Sequence, residues 1–238
     1  MDTDRVPACP ASLRPPLLAD PVRARPKALL PKVAVALVFR RHSTHVWAMA
    51  WFDKLRRSVS KASPASHWAP PRPDRPVYVV GDIHGMVQSL ERLLEKIDAD
   101  IGQTEAEDPV LVFVGDYIDR GDHGAEVLYR VADLAYQMPQ NVICLMGNHE
   151  KMMLDFLDRP REKGRRWIRN GGLQTIASFG VRGLVAESAE DDVLADLSAR
   201  FRDALPDGLA DWMRAMPLSW NSGTLWVAHA AMNPAKTP

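Results

Sequence analysis

Residues 110–121 read VLVFVGDYIDRG. The first five residues are apolar without alternation, and four of them are β-branched or aromatic, which predicts a strand buried on both faces. The apolar run stops at Gly115, and Asp116, Asp119 and Arg120 follow at once. Three other stretches share this layout. VYVVGDIHG (77–85) runs into Asp82 and His84, NVICLMGNHE (141–150) into Asn148 and His149, and TLWVAHA (224–230) into His229. Gly81, Gly115 and Gly147 precede the first three polar clusters, where a glycine lets the backbone turn sharply off a sheet.

Between these strands the apolar period changes to that of a helix. In MVQSLERLLEKI (86–97), Val87, Leu90, Leu93, Leu94 and Ile97 fall on one face. GAEVLYRVADLAYQM (124–138) does the same with Val127, Leu128, Val131, Leu134, Ala135 and Met138, and KMMLDFL (151–157) begins a third helix. Strand–helix alternation with fully apolar strands predicts an α/β fold with a parallel sheet covered on both faces. Further on, the stretch 161–183 reads as loop-like around Gly171-Gly172. DVLADLSARFRDAL and GLADWMRAM read as helices, and LSWNSGTLWVAHA reads as a hairpin turning at Asn221-Ser222-Gly223.

The zero net charge of the 238 residues hides an asymmetry. Residues 1–75 carry 14 Lys and Arg against five Asp and Glu, and the remainder carries 16 against 25. Residues 1–76 are rich in Pro, Arg and Ala without sustained periodicity, and PASHWAPPRPDRP (64–76) suits neither helix nor central strand. This stretch is expected to be a mostly disordered basic leader, with one short helix at WFDKLRRSV (51–59). Met49 opens a run that reads as a natural start, so residues 1–48 are open to being an over-extended gene boundary. A charged leader without a folded scaffold or interleaved aromatics does not imply nucleic-acid binding. The longest apolar run, ALLPKVAVALVF, is broken by Pro31 and Lys32 and is too short to span a bilayer. Two cysteines, Cys9 and Cys144, suggest no disulfide framework. The chain is therefore expected in the cytoplasm, away from membranes, and its oligomeric state is left open.

In open α/β sheets, ligands bind outside the carboxyl ends of the strands. There this sequence gathers carboxylates, one amide oxygen and several imidazoles, a hard oxygen and nitrogen set suited to Mn²⁺, Fe or Zn²⁺. One Gly-Asp pair after a strand would mean little. Asp82 with His84, Asp116 with Asp119, and Asn148 with His149, each after an apolar run, are together specific. Asp116 is placed to bridge two ions, and two metals can clamp both the attacking and the leaving oxygen of a phosphoester. His229 gains its meaning from the other three.

GDIHG, GDYIDRG and GNHE resemble the three signature motifs of the metallophosphoesterase (calcineurin-like) family, in its phosphoprotein phosphatase branch. The resemblance covers about Val77 to Met232, and WIRNGGLQTIASFG is similar to a segment of bacterial serine/threonine phosphatases. It implies a β-sandwich flanked by helices in four layers (αββα), formed by a domain at 77–238. It implies two divalent metal ions, Mn²⁺ first, with Asp82, His84 and Asp116 on the first and Asp116, Asn148 and His229 on the second. It implies that His149 protonates the leaving group while Asp119 orients it, and that Arg120 and Asn148 hold the substrate phosphate. A di-metal-bound water would attack phosphorus directly in a phosphorylated protein or a small phosphoester. The runner-up, a symmetrical bis(5'-nucleosyl)-tetraphosphatase, tends to carry other letters beside Arg120 and at Glu150. A third reading is a non-catalytic remnant. Family members continue to a second phosphate-binding arginine and a further histidine that completes the second metal site. Because the sequence stops at Pro238, the domain is expected to lack its last strands and to be weakly active.

Overall fold

The computed structural model describes residues 33–36, 70–183 and 189–230. Four parallel strands form one sheet in the order β1 (Val33–Ala36), β2 (Val77–Val80), β3 (Val110–Phe113) and β4 (Val142–Cys144). Helix α1 (Val87–Thr104) links β2 to β3, and α2 (Gly124–Gln137) links β3 to β4. Both crossovers lie on the same face of the sheet, as one consistent hand of connection requires. The sequence reading placed no strand within 1–76, yet β1 pairs with β2 there. The helix expected at 51–59 lies outside the described residues.

Alternation along each strand divides the core in two. Tyr78, Val80, Phe113, Val142 and Cys144 face the helices, where they meet Leu90 and Ile97 of α1 and Val127, Leu128 and Val131 of α2. Val77, Val110, Val112, Ile143 and Leu145 face the other way, onto Val227, with Trp220 and Leu225 beside it. Those last three belong to an antiparallel hairpin, β5 (Ser219–Ser222) and β6 (Leu225–Ala228). Hence the strands lack polar alternation: one face is covered by helices, the other by a second sheet. Each buried Val or Leu contributes about 1.5–3 kcal/mol. The architecture is the α/β sandwich expected, with helices, parallel sheet and hairpin as layers among the described residues. Residues 72–74 are stitched to the hairpin turn, the Arg72 amide donating to Thr224 Oγ1 at 2.8 Å and the Gly223 amide to Asp74 Oδ2 at 2.8 Å.

Three elements differ from their sequence reading. Helix α1 runs on to Thr104, about two turns past the apolar stripe that announces it. The stretch 161–183 is largely helical, with α4 (Pro160–Trp167) and α5 (Leu173–Ser178) joined across Ile168–Gly172. Gly171 (φ 104°) kinks that junction, where the glycine pair predicts a loop. The third helix, α3 (Asn148–Asp158), starts at Asn148, so Asn148 and His149 form its first turn. Helices α6 (Asp191–Ala204) and α7 (Leu209–Arg214) stand where the sequence puts them. No helix among the described residues is long and apolar enough to cross a membrane.

Candidate metal centre

The polar residues cluster because three strand-end segments lock together. The Ile83 and His84 amides donate to Asp116 O at 3.0 and 2.9 Å, and the Gly85 amide to Tyr117 O at 2.8 Å. His84, Asp116, Asp119 and Arg120 all take positive φ, between 46° and 70°. This left-handed backbone costs an L-residue roughly 1–2 kcal/mol, and such strain gathers at functional sites. Of the three glycines expected to turn the chain, only Gly115 does so by conformation, at φ 108°. Gly147 has ordinary backbone (φ −84°), but a Cβ there would sit 2.2 Å from Asp116 Oδ1. Gly81 has neither a positive φ nor a close neighbour. Gly147→Ala is accordingly expected to destabilise the fold by about 1–3 kcal/mol, read by thermal denaturation. A melting temperature equal to wild type would disprove the close approach.

Asp116 lies between two clusters. Its Oδ2 is 3.7 Å from His84 Nε2, and its Oδ1 is 3.4 Å from His229 Nε2. One set of facing donor atoms comprises His84, Asp116 and His149, and the other comprises Asp82, Asp116 and His229. Asp82 is half exposed at the rim, 3.9 Å from His84 Nε2. Two carbonyls orient the rings. Ile118 O lies 2.8 Å from His84 Nδ1, and Val114 O lies 3.1 Å from His229 Nδ1. A neutral imidazole carries one N–H, so each ring gives its proton to a carbonyl and turns an Nε2 lone pair inward. Burial pulls His84 below the ordinary histidine range, which favours that neutral form. At His229 the inward Nε2 then faces Asn148 Oδ1 at 3.0 Å as well as Asp116, acceptor against acceptor. With that tautomer, Nε2, Asn148 Oδ1 and Asp116 Oδ1 are three lone-pair donors grouped as the ligands of one cation would be. The donor set fits a divalent ion, with the second nitrogen of each histidine tied down as metal sites require.

His149 sits beside this centre, almost fully buried. Its Nδ1 is 2.6 Å from Asp119 Oδ2, and its backbone N–H donates to Asp116 Oδ1 at 3.1 Å. Burial pulls its pKa down, but the Asp119 hydrogen bond and the charges of Asp116 and Asp119 outweigh that and leave it raised. Arg120 spans the two rings, with Nη1 2.9 Å from His84 Nε2 and Nη2 3.1 Å from His149 Nε2. The structure thus brings Asp82, His84, Asp116, Asp119, Arg120, Asn148, His149 and His229 into one site.

The sequence reading gave no task to Glu150, Trp167 or Thr175. Glu150 is fully buried and receives the backbone amides of Asp116 (2.7 Å), Tyr117 (2.9 Å), Ile118 (3.4 Å) and Gly147 (3.0 Å). Burial and the nearby Asp116 push its carboxyl up to about 7, against the pull of those amides. A glutamate at the third position of a helix is a capping signal, which points to its bond with the Gly147 amide but not to those with 116–118. Trp167 and Thr175 both bond Asp119, and Gly171 lies so close to Arg120 that a Cβ would come 2.6 Å from its amide nitrogen.

Comparison with known proteins matches residues 75–231 to the calcineurin-like phosphoesterase family. A candidate serine/threonine-protein phosphatase of Caenorhabditis elegans, C06A1.3, is 39% identical over 77 residues, 32% of this chain and 20% of its own. An uncharacterized Caenorhabditis elegans protein, F44B9.9, is 35% identical over 88 residues, covering 34% of each. The chain therefore spans a fifth to a third of the length of these curated relatives. Among solved structures, a Saccharomyces cerevisiae serine/threonine phosphatase with similarity to human phosphatase PP5 is 21% identical, with a TM-score of 0.33, covering 62% of this chain and 35% of that one. A candidate diadenosine tetraphosphatase is also 21% identical, with a TM-score of 0.41, covering 68% and 52%. With its three strand-end motifs drawn into one centre and the family matched over most of its length, this chain belongs to the calcineurin-like phosphoesterases.

Proposed function

We propose that the chain hydrolyses phosphomonoesters and that its substrates are proteins phosphorylated on serine or threonine. The observation that carries this reading is Asp116, shared by two clusters of imidazole and carboxylate donors, beside a buried His149–Asp119 pair. Asp82, which faces His229 but also lies 3.9 Å from His84, would join His84 and Asp116 on one divalent ion, with His149 kept for proton transfer, and Asp116, Asn148 and His229 would hold another, with Mn²⁺ favoured by the mixed oxygen and nitrogen donors. Bound there, the ions would supply a nucleophile at neutral pH and charge to offset the phosphoryl oxygens.

The protein's own groups do the rest. Arg120 presents a planar fork of N–H donors, a shape matched to phosphate oxygens. The Asn148 amide adds a second polar contact for the phosphate. His149 turns Nε2 toward Arg120 and Asp116, placed to give a proton to the departing alkoxide while Asp119 holds Nδ1. A serine alkoxide is a poor leaving group, so this proton matters most for phosphoserine and phosphothreonine.

The test is hydrolysis of a phosphoserine peptide and of diadenosine tetraphosphate with added Mn²⁺, by wild type and His149→Ala. Release of phosphate from the peptide is expected, reduced at least about a hundredfold in the variant. Faster cleavage of the dinucleotide would move the assignment to a tetraphosphatase. Failure on both substrates would overturn the enzymatic reading and leave a non-catalytic member of the family.

A further inference from the structure

The Asp119 carboxylate is held from three sides. Oδ2 accepts His149 Nδ1 at 2.6 Å and Trp167 Nε1 at 2.8 Å, and Oδ1 accepts Thr175 Oγ1 at 2.6 Å. The Thr175 hydroxyl in turn accepts the Asp119 amide at 2.9 Å, so one side chain clasps both ends of the residue. Asp119, Trp167 and Thr175 are all fully buried, so no water competes for these bonds. The Trp167 ring is wedged between Phe156 of α3 and Phe201 of α6, at centroid distances of 5.1 and 5.6 Å. The two donors stand on either side of the kink at Gly171, on α4 and α5, and the kink lets the chain press against Arg120 between them.

We propose that Trp167 and Thr175 are positioning residues for His149. By fixing the Asp119 carboxylate they fix which imidazole nitrogen carries the bonded proton and where the other nitrogen points. The inference rests on the reading of His149 as the group that protonates the leaving oxygen. A carboxylate bonded only to histidine could turn about its last torsion, and the ring would turn with it. Two further donors at fixed angles remove that freedom. This explains why a kinked helix pair is laid against the strand-end loop.

A purely structural role and a positioning role separate by leaving group. Phenol resembles the tyrosine side chain, with a pKa of about 10, and needs a proton as it departs. 2,4-Dinitrophenol is far more acidic and needs none. Thr175→Val keeps the shape and removes the hydroxyl, while Trp167→Phe keeps the stacked ring and removes the N–H. With Mn²⁺ present, each variant is expected to lose roughly ten- to a hundredfold in kcat on phenyl phosphate, the usual cost of losing an orienting partner. KM should be unchanged, and the loss on 2,4-dinitrophenyl phosphate should be under about threefold. Thr175→Ser should recover most of the phenyl phosphate activity. In the metal-free ¹⁵N-histidine-labelled protein, the proton signal of His149 Nδ1–H, assigned by its absence in His149→Ala, should move upfield and exchange faster in both variants.

Equal losses on the two esters, or an unchanged proton signal, would overturn the proposal. Trp167→Phe carries the test should Thr175→Val not fold. If wild type turns over neither ester, the phosphoesterase reading falls, and the proton signal alone decides whether the clasp orders the ring.

Discussion

Asp116→Asn is expected to remove Mn²⁺ binding at both clusters and to lower kcat on any phosphoester by at least about a thousandfold. Asparagine is the right probe because it isolates charge. Asp116 sits at φ 55°, a conformation that asparagine tolerates and alanine does not. The amide oxygen can still accept the His149 backbone N–H, so the first turn of α3 keeps its anchor. What disappears is the buried negative group whose two oxygens face His84 and His229, one each. Isothermal titration with Mn²⁺ on the folded variant reads the first effect and phosphate release the second. Retention of wild-type Mn²⁺ affinity would show that Asp116 does not join the two clusters.

Glu150→Ala is expected to lower stability by about 4 kcal/mol. Its carboxylate receives four backbone amides in a place closed to solvent, and a buried donor left without a partner costs about 1–3 kcal/mol. Entry of a water into the vacated space would recover part of that. For a domain of this size the loss lowers the melting temperature by roughly 10 °C. It should also weaken Mn²⁺ binding, since the amides of Asp116 and Gly147 flank the metal-facing carboxylate. Glu150→Gln should fall between the two, because its amide nitrogen turns a donor toward two of the amides. Circular dichroism melts of the three proteins check this. An alanine variant melting within about 2 °C of wild type would sink it.

The two largest effects were unequally legible in the sequence. Asp116 could be found because its chemistry is carried by letters in a local pattern: an apolar run, a glycine, a carboxylate. The same holds for Asp82, His84, Asn148 and His149. His229 was legible only by joining it to the other three strand ends. Glu150 is a letter that separates two enzyme classes, but its hold on the strand-end loop has no local signature. Its partners at 116–118 lie more than thirty residues away in sequence, and no local period records a bond to a backbone amide.

The fold divides the same way. Unbroken apolar strands required cover on both faces, and that much follows from solvent exclusion alone. What provides the cover is a tertiary matter: helices on one face, and on the other a hairpin whose Val227 packs against Val77, Val110 and Val112. Gly171-Gly172 reads as a loop because glycine disfavours helix, but stacking of Trp167 between Phe156 and Phe201 anchors the helix before the kink and the bonds of Thr175 to Asp119 anchor the one after it. By itself, then, the sequence determined the strand–helix order and the donor atoms of the centre, since hydrophobic period and side-chain chemistry are properties of short stretches. Only the tertiary structure decided which of those donors meet at Asp116 and what holds His149 in place. Those depend on close approaches between segments far apart in the chain, the contacts that Gly147, Glu150, Trp167 and Thr175 make possible.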